Sequence, residues 1–102
     1  MQNRTKISLL KKLADAINEV YPTNEPPQVW GPNEGPSMGH PVIGWEGLYE
    51  WIAISMGSSL FAGEMCDYSK PTEAPIQKVI DEITAKGGYL EADTNVHLSI
   101  WE

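Results

Sequence analysis

Residues 22–44 constrain the fold more than any other stretch. They hold six prolines (Pro22, Pro26, Pro27, Pro32, Pro36, Pro41) and four glycines (Gly31, Gly35, Gly39, Gly44). Proline lacks an amide donor and fixes φ, and glycine carries a large backbone entropy cost. No regular helix and no long strand survives that density. Only Gln28-Val29-Trp30 fits a short strand, and the prolines confine it to a sheet edge. A connection this long in a compact domain is usually functional or disordered. Trp30, Met38, Val42 and Ile43 are expected to pin it to the body, partly in polyproline II geometry. Such a loop is stiff, loses little entropy on docking and suits a presented surface.

The regular elements lie on either side. Ile7, Leu10, Leu13 or Ala14, Ile17 and Tyr21 mark one face of an amphipathic helix over about 5–20, with Asn3 or Thr5 as its cap and Pro22 as its stop. Lys6, Lys11 and Lys12 precede Asp15 and Glu19, which opposes the helix macrodipole, so packing must hold it. Ile76, Val79, Ile80 and Ile83 predict a helix over 73–86, with Thr72 as N-cap, Pro75 in the first turn and Gly87-Gly88 as the stop. Tyr89–Ala92 and Val96–Trp101 flank Asp93-Thr94-Asn95 and read as a β-hairpin (89–92, 96–101).

The middle of the chain is ambiguous in type. Over 45–59, a helix puts Trp45, Leu48, Tyr49, Ile52, Met56 and Leu60 on one stripe, and Glu46, Glu50, Ala53 and Gly57 on the opposite one. A strand over 46–56 mixes glutamates with isoleucines on the same face. The helix sorts better. The expected fold is therefore α+β: three helices (about 5–20, 45–59, 73–86) packed with the C-terminal hairpin. The alternative makes 46–56 a strand, giving a three-stranded antiparallel sheet with two helices. Either way, residues 1–102 read as a single small globular domain with a long Pro/Gly-rich loop at 22–44.

Net charge is −7, and its distribution is uneven. Residues 1–12 carry Arg4, Lys6, Lys11 and Lys12 and no acid, whereas residues 13–69 carry eight acids and no base. Phosphate neutralisation needs clustered lysine or arginine, so direct nucleic-acid binding is disfavoured. No apolar run approaches the ~20 residues of a membrane span. A single cysteine, Cys66, and no signal-peptide pattern predict a cytoplasmic setting.

No catalytic signature is present. Cys66, His40 and His97 lack metal-ligand spacing, and Cys66 beside Asp67 has its thiolate disfavoured. Glu46 and Glu50 sit one helical turn apart, but solvated glutamates on an exposed face explain them better than paired acid–base groups. The stretch Gly31–His40 lacks the G-K-[ST] ending of a phosphate loop. No cofactor is expected. The sequence therefore points to a non-enzymatic protein-binding module, in the sharper form a small acidic inhibitor docking on a basic or nucleic-acid-handling partner. The candidate contact residues are Trp30, Glu34, Met38, His40, Glu46, Glu50 and Trp101. Two other classes compete with it: a self-associating structural domain (a homodimer), and a small enzyme, which is disfavoured.

Overall fold

In the computed structural model, residues 1–22, 25–37, 39–48 and 74–102 are described. The order of elements among them is α1 (Asn3–Val20), β1 (Gln28–Trp30), β2 (Val42–Gly44), α2 (Ala74–Ala85), β3 (Tyr89–Ala92) and β4 (His97–Trp101). The strands form one antiparallel sheet in the order β1-β2-β4-β3.

α1 buries Leu9, Leu10, Leu13, Ala14, Ala16 and Ile17 along one stripe. Its N-cap is Gln2, not Asn3 or Thr5, and no side chain caps it. With no acid in the first turn and no base in the last, the helix depends on its buried face. Tyr21 N–H closes its last turn on the Ile17 carbonyl (2.7 Å), and Pro22 prevents continuation. α2 buries Ile76, Val79, Ile80 and Ile83, each contributing about 1.5–3 kcal/mol on full burial. Its end is a Schellman motif: Gly88 N–H bonds Ile83 O (3.0 Å) and Gly87 N–H bonds Thr84 O (3.0 Å). Gly87 takes the left-handed conformation this motif requires, with φ 83°. Lys12 of α1 and Glu82 of α2 pair at 3.0 Å across the exposed side of the helix contact.

Both helices lie on one face of the sheet. Ile43, Leu90, Ala92, Leu98 and Ile100 point into the core they share, joined by Trp45 and Leu48. Side chains alternate along a strand, so the second face carries Gln28, Trp30, Val42, Gly44, Tyr89, Glu91, His97, Ser99 and Trp101.

Two expectations are corrected. First, the sheet has four described strands, where the expectation was the hairpin alone or, in the alternative with two helices, three strands. The added strands come from the Pro/Gly-rich stretch: Val29 pairs with Ile43, and Ile43 with Leu98. Gln28–Trp30 is indeed an edge strand, but Val42–Gly44 is interior, and the loop proper shrinks to residues 31–41. Second, residues 45–47 form a turn rather than the start of a helix or a strand, and the first helical residue is Leu48, whose N–H bonds the Trp45 carbonyl (3.1 Å). Trp45 N–H is drawn to Val96 O (2.8 Å), which prolongs the contact of β2 with the last hairpin, and Glu46-Gly47 then turn the chain. Among the described residues there are two complete helices; residues 49–59 of the expected helix, and 49–56 of the alternative strand, lie outside the described residues. The hairpin is as expected except that β4 begins at His97. No helix among the described residues is long and apolar enough to cross a membrane.

Candidate functional site

The second face of the sheet holds two neighbouring arrangements. The first is a cleft of about 380 Å³ where β1, β2 and the hairpin turn meet. Pairing of Gln28 with Gly44 and of Gly44 with His97 sets three strands side by side here. Gly44, lacking a side chain, leaves the space that the indole of Trp30 occupies. Gly35, with φ 49°, lies against the opposite, pyrrole end of the same indole. The ring is thus held between two glycines. His97 meets it edge-on, with centroids 6.4 Å apart and planes at 71°. The His97 Nδ1 is fixed by the Thr94 hydroxyl at 2.7 Å. Trp45 borders the cleft while its ring, 8% exposed, packs in the core at a tilt to Tyr21. Glu25 and Glu46, both exposed, complete the lining. No lysine or arginine is among the lining residues.

The second arrangement is a clasp. His40, at the end of the 31–41 loop, lies over β4 with its ring 4.9 Å from that of Trp101. Its Nε2 is 3.3 Å from Asp93 Oδ2, and the fully buried Ser99 hydroxyl donates to the same carboxylate oxygen. Aspartate is the common partner, so serine and histidine do not form a nucleophile–base pair. The geometry binds the loop to the hairpin. Lys6 approaches the Trp101 ring at 5.9 Å, and the Trp101 Nε1 is buried without a hydrogen-bond partner.

Of the residues singled out from sequence, Trp30 and Glu46 come together in the cleft, and His40 and Trp101 in the clasp. Glu34 belongs to neither. Its carboxylate accepts the Gly31 N–H at 2.9 Å, and Ser37 Oγ lies 2.6 Å from both Gly31 O and Glu34 O, so these groups shape the loop from within. Met38 and Glu50 lie outside the described residues, as does Cys66. Sequence reasoning missed Gly44 and His97 as cleft residues, and Asp93 and Ser99 as the clasp. The pairing of β2 with β4 that unites them has no local signal. Among the described residues, no three His, Cys, Asp or Glu side chains converge as a metal site would need.

Comparison with known proteins adds no identity: no family model, no curated protein and no solved structure matches this chain significantly.

Proposed function

We propose that this chain is a non-enzymatic protein-binding module that docks through the second face of its sheet on a partner with a basic surface. The observation that carries this reading is the cleft: aromatic walls from Trp30 and His97, a rim with Glu25 and Glu46, and no lysine or arginine in the lining. Aromatic residues at a preformed concavity act as anchors in protein recognition, and complementary charge steers and orients the partner. The base-free run 13–69 and the net charge of −7 add a long-range field of the same sign. An acidic inhibitor meeting a basic groove is the sharper form of the same reading.

The test is capture of a partner by tagged protein from the cell of origin, with washes of rising ionic strength. A specific basic partner, released by salt and lost with Glu46→Gln, supports the reading. A partner retained regardless of salt removes its electrostatic basis.

The edge position of β3 among the described strands favours a second reading, a homodimer that pairs Tyr89–Ala92 with its counterpart in another copy. Size-exclusion chromatography with light scattering decides it: a monomer at high concentration excludes it.

A further inference from the structure

We propose that the cleft selects an arginine side chain of the partner, in preference to lysine; the inference rests on the protein-binding reading above. A volume of about 380 Å³ admits one or two side chains and no folded element. Its walls are chemically specific. Trp30 is wedged between Gly35 and Gly44, so its indole is in place before any ligand arrives. His97 stands edge-on to it, anchored through Thr94. Gln28 offers an amide, and Glu46 an exposed carboxylate at the rim.

A guanidinium matches this set better than an ammonium. It is planar, stacks on an indole and is weakly hydrated, so entering an aromatic cleft costs it less water. Its five donors can engage a carboxylate in pairs and still reach an amide carbonyl. Lysine brings a compact, strongly hydrated charge with no flat surface. The nearby cations do not compete for the place: Lys6 lies over Trp101 and Lys12 pairs with Glu82, and neither lines the cleft. An anionic ligand would meet Glu25 and Glu46 with no lysine or arginine in the lining to offset them.

The test is a ¹⁵N NMR titration of the full chain with three blocked pentapeptides, Gly-Gly-Xaa-Gly-Gly, where Xaa is arginine, lysine or norleucine. The arginine peptide is expected to give saturable shifts at the Trp30 indole N–H and at the amides of Gly44 and His97. It should bind about fivefold or more tightly than the lysine peptide, with the norleucine peptide inert. Glu46→Gln, at an exposed position, should leave the rest of the spectrum unchanged and weaken the arginine peptide about fivefold. Equal affinity for arginine and lysine at these same amides overturns the selectivity while leaving the protein-binding reading intact. Shifts that fail to saturate, fall outside the cleft or ignore Glu46→Gln overturn the site itself. The reading is tested separately by the salt-dependent capture experiment.

Discussion

Gly44 lies directly under the indole of Trp30, so close that a methyl group in place of its hydrogen would overlap Cζ3 of that ring. Trp30 cannot yield easily, because Gly35 confines its other end. Gly44→Ala therefore overpacks the site. The expected loss is about 1–3 kcal/mol in chemical denaturation, accompanied by a changed tryptophan emission spectrum as Trp30 is displaced. An unperturbed spectrum with full stability would show that the ring is not held by this contact.

Asp93 serves two partners at once, Ser99 and His40. Asp93→Ala should cost about 1–3 kcal/mol, chiefly because it strips the buried Ser99 hydroxyl of its acceptor. His40→Ala should cost less, since the His40 and Asp93 side chains are 22% and 27% exposed. A double-mutant cycle between them should return a coupling of about 0.2–1 kcal/mol. A coupling of zero would mean the loop is anchored by the His40–Trp101 ring contact alone.

The helix contact separates packing from charge. Ile83 is fully buried, and Ile83→Ala should destabilise by about 2–5 kcal/mol. Glu82→Gln, which removes the exposed pair with Lys12, should change stability by less than about 1 kcal/mol. Urea titrations of the two variants check both values.

The α-ammonium of Met1 donates to the Glu102 carboxylate, and this hydrogen bond holds that carboxyl below its ordinary pKa; burial opposes the shift, and the charges of the ammonium and Lys6 add to it. A depressed folded pKa contributes stability that is present above the ordinary carboxylate pKa and lost as pH falls through the folded value. Stability of Glu102→Gln should therefore depend less steeply on pH over the acidic range, and match the parent most closely at the lowest pH. Denaturation midpoints measured from neutral pH downward test this. A parallel pH profile in the two proteins would exclude the contact.

The two described helices and the terminal hairpin were legible because each repeats its own period for long enough. Leu10, Leu13 and Ile17 announce α1, and Ile76, Val79, Ile80 and Ile83 announce α2. Leu98 and Ile100 alternate with Ser99 and Trp101 along β4. Gln28–Trp30 was legible as an edge strand because only an edge tolerates the prolines around it. Val42–Gly44 was not legible. Three residues are too few to show a period, Pro41 and Gly44 argue against an interior strand, and its pairing partners lie far away at 28–30 and 97–98. The cleft was hidden for the same reason. Trp30 and Glu46 were noticed separately, one for its size and one for its charge, and only the β1–β2 register brings them to one place.

The strand order carries a consequence for how the protein is made. β4 lies between β2 and β3, so Ile43 acquires its partner Leu98 only after a further 55 positions have been synthesised. Until residues 97–101 leave the ribosome, the inner edge of β2 has no described strand to pair with, and the core face of α1 has only part of the sheet beneath it. The cleft shares that timing, because His97 is one of its walls. The cleft and the completed sheet therefore arrive together, at β4, and a nascent chain arrested before it would present the Trp30 surface without its His97 wall.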